Sequence, residues 1–254
     1  MIVSLLRLYP IKGLPPVDVA EAAVLPSGTL ALDRRWALID GGGRFINGKN
    51  VLTIHTLDAR FNVPALEVTL DERTFSLTRQ GSAFAAWCGE RLGQPMTWAE
   101  NAEAGFPDDL EATGPTFVSA ASVRAVADWF GLEVDSARRR FRCNIEIDGV
   151  DAFWEDAVYG STVSIGGVEV QAINPCARCV VPSRDARTGE AIAGFQKRFA
   201  ELRQQHLPAG TSTAPFNHYY RFTVNTMIDA AEAGKVIRLG DRVSQVSSLK
   251  QELP

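Results

Sequence analysis

The stretch TVSIGGVEVQAINPCARC, residues 162–179, reads as two strands and a cargo. Apolar and polar residues alternate through Thr162–Ile165 and again through Val168–Ile173, the period of a half-buried strand. Gly166-Gly167 between them supplies the backbone freedom of a tight hairpin turn. The second strand runs into Asn174-Pro175-Cys176-Ala177-Arg178-Cys179, so a hairpin carries two thiols, spaced two residues apart, into a loop.

Working outward, the same strand signal recurs. Val3–Tyr9, Val17–Leu25, Arg35–Asp40, Leu52–Leu57, Ala65–Leu70 and Thr74–Thr78 are short apolar or alternating runs separated by Pro15-Pro16, Ser27-Gly28 and Gly41-Gly42-Gly43. This spacing predicts a curled sheet or barrel in the first hundred residues. Ser82–Leu92 has helical spacing at Phe84, Ala85, Cys88 and Leu92, which makes Cys88 a small core residue. Glu100–Pro115 is polar and reads as a connection. Beyond it, Thr116–Val118 predicts a strand, and Ser119 or Ser122 caps a helix that ends before Gly131. Phe141–Ile147 reads as a strand, with Arg140 and Arg142 on the face opposite the Phe141 ring. Ala191–His206 reads as a basic helix, and Arg221–Asn225, Val236–Leu239 and Val243–Val246 as closing strands. The class is mainly β with a few helices, α+β in kind.

Composition narrows the function. With 254 residues, 46% of them hydrophobic, the chain can bury a core without a disulfide scaffold. Four cysteines and an N-terminus without a long apolar stretch predict a reducing, cytoplasmic setting. A formal charge of −4 argues against a nucleic-acid surface, and no run of about 18 apolar residues predicts a membrane span.

The cysteine pair leaves several chemistries open. A structural zinc site needs four closed ligands, and His55, His206 and His218 lie far apart in sequence. A redox pair of the thioredoxin kind sits where a strand feeds a helix, whereas here a hairpin precedes and a polar loop follows. Two inert thiols are the plain alternative. A single thiolate binding a soft metal, with Arg178 favouring the ionised sulfur, is the fourth. Lys12 after the first strand, Arg34 before another, and Arg140 and Arg142 near Cys143 are ordinary surface charges taken singly; together they suit one anionic ligand.

Tyr9-Pro10-Ile11-Lys12, Asp33-Arg34-Arg35-Trp36, Arg140-Phe141-Arg142-Cys143-Asn144-Ile145, Trp154-Glu155-Asp156 and Cys176-Ala177-Arg178-Cys179 with Asp185 and Thr188-Gly189 occur in that order. Together they resemble the motif set of MOSC proteins with an N-terminal MOSC β-barrel domain, the group containing the mitochondrial amidoxime-reducing component and its bacterial relatives. The resemblance covers nearly the whole chain. It implies an N-terminal barrel-like domain over residues 1–100 and a MOSC-type β-barrel domain over 101–254.

The resemblance also implies a molybdenum cofactor, a pyranopterin whose dithiolene sulfurs hold molybdenum. Cys179 would be the protein's ligand to the metal and the catalytic residue. Lys12 and Arg34 would hold the cofactor phosphate, Arg142 and Asn144 would reach the pterin edge, and Ser119 and Ser122 would add donors there. Glu155 and Asp156 are expected to cap or to pair with an arginine, and Asp185, Thr188 and Gly189 to fold the loop after Cys179. The implied activity is a molybdenum-dependent oxidoreductase acting on a small N-oxygenated substrate. Its electrons would come from a separate protein, since the chain has neither an iron–sulfur cysteine set nor a nucleotide fingerprint. The alternative is a non-catalytic carrier of the cofactor or of sulfur, with a persulfide on Cys179. Four positions depart from the common pattern: Gly13 for serine, Cys143 for proline, Ala177 for serine, and Asn47-Gly48-Lys49-Asn50 for threonine-glutamine-arginine.

Overall fold

The computed structural model describes residues 1–248; the last six residues of the expected second domain lie outside the described residues. The chain begins with β1 (Ile2–Leu8), β2 (Val17–Asp18) and β3 (Glu21–Ala23), followed by β4 (Trp36–Asp40), β5 (Arg60–Asn62), β6 (Glu67–Leu70) and β7 (Arg73–Ser76). Helix α1 (Gly81–Leu92) and β8 (Met96–Glu100) complete the first part. The second part runs through β9 (Phe117–Ser119), α2 (Ala120–Phe130), α3 (Val134–Phe141), β10 (Ile145–Asp148), β11 (Ser161–Ile165) and β12 (Val168–Ala177). It ends with α4 (Phe195–Gln205), β13 (Arg221–Met227), β14 (Val236–Arg238) and β15 (Val243–Ser248).

The hairpin expected over residues 162–173 is β11–β12, paired antiparallel, with Gly166 and Gly167 both at positive φ. It sits inside an eight-stranded sheet of order β15-β11-β12-β13-β9-β10-β1-β2. The alternating residues Val163, Ile165, Val168, Val170, Ile145, Ile147, Leu6 and Val224 share one apolar core on the concave side. The sheet meets itself where Ile2 bridges Arg242, with Val3 N donating to Asp241 O at 2.9 Å and Val243 N to Met1 O at 3.1 Å. These contacts cover part of the sheet edge beside β15. Strands β9 and β10 run parallel, so their connection must cross over; α2 and α3 form it and cover the outer face.

Residues 36–100 form the other lobe. The pair β4–β8 and the three-stranded β5-β6-β7 sheet surround Trp36, Leu38, Ile54, Val68, Phe84 and Cys88. Burial pushes the Cys88 thiol up to about 12, which marks it as a core residue. Met96 is the last buried residue of this core, but Val3, Leu6, Leu8, Ala22, Val24 and Leu30 belong to the core of the large sheet, β1 and β2 are strands of that sheet, and β3 pairs with β14. The first strands therefore lace the lobes together.

Three sequence expectations need correction. Phe141–Ile147 is not one strand: α3 ends at Phe141, Arg142 takes a left-handed conformation at φ 54°, and β10 starts at Ile145. The helix wins because Val134, Ala137 and Phe141 share a face toward the α2 and α4 aromatics, while Asp135 and Arg139 pair across one turn at 2.7 Å. Arg140 and Arg142 consequently do not share a strand face. Leu52–Thr56 is a 3-10 turn, not a strand, and α4 begins at Phe195, not Ala191.

Ser119 does cap α2, accepting from Ser122 N at 2.9 Å, and Gly131 ends it at φ 60°. Both hydroxyls are fully buried around Glu155, whose Oε2 accepts from Ser119 N at 3.2 Å and from Ser122 Oγ at 3.0 Å. Burial raises the Glu155 carboxyl from 4.5 to about 7, and its Oε1 has no hydrogen-bond partner. A carboxyl raised by folding binds more protons in the native than in the unfolded state. Its stabilising contribution is therefore complete below pH 4.5 and is lost as pH rises through 7, about 3 kcal/mol in all. Melting curves from pH 4 to 8 should show this fall in the natural protein, and Glu155→Gln should flatten it.

Candidate functional site

A cavity of about 430 Å³ lies between the lobes. Its wall includes Lys12 and Gly13 after β1, Arg34, the Asn47-Gly48-Lys49 turn, Asp108, Arg142 and Asn144, and Cys176 to Cys179 at the end of β12. Eight lysines and arginines line it against three aspartates. So many cations along one concave wall favour an anionic ligand.

At one end, Lys12 is buried and donates from Nζ to Phe106 O at 2.8 Å and to Asp108 Oδ1 at 2.5 Å. Burial draws its ammonium below the ordinary value, with Asp108 opposing. Arg34 sits at φ 50° in a turn fixed by Arg34 N to Tyr9 O at 2.8 Å, and its guanidinium pairs with Asp33. Asp33 in turn accepts from Tyr9 N at 2.8 Å. The Arg142 guanidinium donates to Leu14 O at 2.9 Å. Both guanidiniums stack on the buried Tyr9 ring, at 5.2 Å for Arg34 and 4.1 Å for Arg142, while Tyr9 Oη donates to Cys143 O at 3.2 Å. Tyr9 is thus the pillar that sets two cations side by side. Nothing in the sequence singles out this role, because its partners come from turns 25 and 133 residues away.

At the other end lie the thiols. Cys176 and Cys179 are half-buried and face the same cavity. Arg178 Nη1 donates to Cys176 Sγ at 3.1 Å and Nη2 to Phe141 O at 2.5 Å. The guanidinium expected to serve Cys179 is therefore bonded to Cys176. Cys179 is held through its backbone, its carbonyl accepting from Tyr220 Oη at 3.0 Å. The loop beyond it folds as expected: Asp185 Oδ1 accepts from Arg187 N at 2.9 Å and Thr188 N at 3.0 Å, and Gly189 adopts φ 76°. Arg140 braces the same loop through Pro182 O and Asp185, each at 3.3 Å. Arg184 reaches across to Gly48 O, tying this loop to the other lobe.

The remaining expected residues are placed differently. Asn144 lines the wall, yet its amide clamps the sheet, donating to Arg7 O at 3.0 Å and accepting from Thr116 N at 3.3 Å. Ser119 and Ser122 are not among the residues lining this cavity; their hydroxyls serve the α2 cap and Glu155. Cys143 is buried, with Sγ donating to Thr116 O at 3.2 Å, and burial pushes it up to about 12. Asp156 pairs with Arg203. Gly13 has φ 88°, and a Cβ there would lie 2.8 Å from Ile46 O, so this backbone excludes the serine of the common pattern. A Cβ at Gly48 would likewise lie 2.6 Å from His55 Nε2.

Among the described residues, no group of three or more His, Cys, Asp and Glu side chains is arranged to hold a metal ion. A metal here would meet the Cys176 and Cys179 thiols as its protein donors and would bring its remaining ligands with it. The basic end and the thiol end of one cavity fit a group that is both anionic and sulfur-coordinated. His55 Nε2 and Arg178 Nε, buried without partners in residues of this wall, leave polar capacity for it.

Two β lobes line one cleft that is both basic and thiol-bearing. Two family models match: the MOSC N-terminal beta barrel domain over residues 1–86 and the MOSC domain over residues 116–244. The chain belongs to the MOSC family, with the N-terminal barrel domain. It is similar to a molybdenum cofactor sulfurase of Drosophila melanogaster, 24% identical over 221 residues, covering 73% of this chain and 28% of that protein. A molybdenum cofactor sulfurase of Caenorhabditis elegans is 26% identical over 152 residues, covering 55% of this chain and 21% of that protein. The chain spans about a quarter of the length of these curated relatives. No helix among the described residues is long and apolar enough to cross a membrane.

Proposed function

We propose that the cleft binds molybdenum cofactor and that the protein is a molybdenum-dependent oxidoreductase reducing small N-oxygenated substrates. The observation that carries this is the one cavity whose wall holds Lys12, Arg34 and Arg142 together with Cys179. Family membership and the named sulfurases support a role tied to this cofactor. When bound, the cofactor supplies two-electron redox chemistry and oxygen-atom exchange.

The protein's part follows from its own groups. Lys12 and Arg34 would neutralise the terminal phosphate, Arg142 would serve the pterin, and Cys179 would donate soft thiolate sulfur. Tyr220 fixes the backbone on both sides of Cys179, its carbonyl accepting from Arg178 N at 3.1 Å and its Oη donating to Cys179 O at 3.0 Å, so the sulfur is presented without rearrangement. The working setting is cytoplasmic, and electrons come from a separate protein, since the chain's four cysteines provide no cluster site.

A second reading, a sulfur carrier, is favoured by one contact. The Arg178 guanidinium holds the Cys176 sulfur by a hydrogen bond two residues from Arg178 and beside Cys179, and the relatives are named as sulfurases. Reduction of benzamidoxime with an artificial electron donor by the molybdenum-loaded protein separates the two. Turnover supports the oxidoreductase. Absence of turnover, together with cyanide-labile sulfur on the 176–179 peptide, supports the carrier.

A further inference from the structure

Asp108 stands where an anionic ligand would. We infer that it is a built-in competitor for the anion end of the cleft: its carboxylate occupies Lys12 until a phosphate group displaces it. The inference rests on the reading of Lys12 and Arg34 as the phosphate-binding end.

The contact is asymmetric. The Lys12 side chain is 8% exposed, whereas that of Asp108 is 68% exposed, so a fixed cation meets a carboxylate free to swing into solvent. Asp108 lies between β8 and β9 in a segment without helix or strand. The other Lys12 acceptor is anchored: Phe106 N donates to Arg34 O at 2.8 Å, and the Phe106 ring packs on Phe45 at 5.1 Å. Displacing Asp108 therefore leaves the Phe106 carbonyl to orient Lys12. Asp109, next in sequence, is committed elsewhere, accepting from Asn225 Nδ2 at 3.2 Å and Glu111 N at 2.9 Å.

The cleft walls around the exposed Asp108 carboxyl partly desolvate it and push it up, but Lys12 and Arg34 outweigh this and hold the group far below the ordinary carboxylate range. It is thus a full anion at neutral pH, held by the charges a phosphate would use. Incoming phosphate exchanges one acceptor for another at Lys12, so every anionic ligand loses the same factor of apparent affinity. A charge-assisted hydrogen bond at a half-buried site sets that factor at roughly tenfold.

Inorganic phosphate titrated calorimetrically into the full chain tests this. Asp108→Asn is expected to bind phosphate about tenfold tighter than the natural protein, while Asp109→Asn, which removes the same charge one residue away, stays within about twofold. Lys12→Met should abolish binding with or without Asp108→Asn. Equal affinity in Asp108→Asn and the natural protein, or an equal gain in Asp109→Asn, overturns the competitor. Undiminished binding in both Lys12→Met and Arg34→Met instead refutes the anion site and takes the competitor with it.

Discussion

Asp156→Ala is expected to destabilise the protein by about 3–5 kcal/mol, because it strands a buried cation. Arg203 is 2% exposed and lies between the Phe153 and Phe216 rings, at 4.3 Å and 5.4 Å. Its Nη2 donates to both Asp156 oxygens, and neither Nε nor Nη1 has another partner. Asp156 also accepts from Tyr159 Oη at 2.8 Å. This pair pins α4 to the 3-10 turn Trp154–Ala157 against the large sheet. Urea denaturation of Asp156→Ala, Arg203→Met and the Asp156→Leu/Arg203→Met double variant checks it. The double variant should recover most of the loss in Asp156→Ala, since paired apolar side chains leave no unmatched charge.

The second large effect is at Tyr9. Tyr9→Ala should cost about 3–5 kcal/mol as a fully buried aromatic truncation. The informative variants are smaller. Tyr9→Phe loses the hydroxyl bond to Cys143 O, about 1–2 kcal/mol, but keeps the ring beneath Arg34 and Arg142. Tyr9→Leu retains apolar bulk and removes the ring. If the ring aligns the two guanidiniums, phosphate affinity should be near normal in Tyr9→Phe and severalfold weaker in Tyr9→Leu. Equal affinities in the two variants, with both folded, would reject the alignment.

Much of this fold is readable from local pattern. The Gly166-Gly167 hairpin, the Ser119-to-Gly131 helix and the turn after Asp185 each need only neighbouring residues to specify them. The failures occur where a local pattern competes with tertiary packing. Arg140-Phe141-Arg142-Cys143 alternates like a strand, but Phe141 packs on Phe195, Phe199 and Phe222, contacts with no trace in nearby sequence. Ser119 and Ser122 are chemically suitable for a ligand, yet a buried carboxyl 33 residues beyond Ser122 takes them instead.

The site divides in the same way. The cations and thiols are conspicuous in sequence, and the MOSC resemblance supplies their grouping. Their coupling is not: Lys12 to Asp108 spans 96 residues, and Arg184 to Gly48 spans 136. That Arg178 serves Cys176 instead of Cys179 depends on side-chain direction at the end of β12, which spacing leaves undetermined.

The central claim is that one cleft holds molybdenum cofactor with Cys179 as the metal's protein ligand. Molybdenum content and X-ray absorption of protein purified from a cofactor-producing host test it, using the natural chain, Cys176→Ser and Cys179→Ser. Molybdenum should be present in the first two and lost from Cys179→Ser, or kept there with one sulfur scatterer fewer, at unchanged melting temperature. Molybdenum retained in Cys179→Ser with the same sulfur coordination, or absent from the natural chain, would contradict the account.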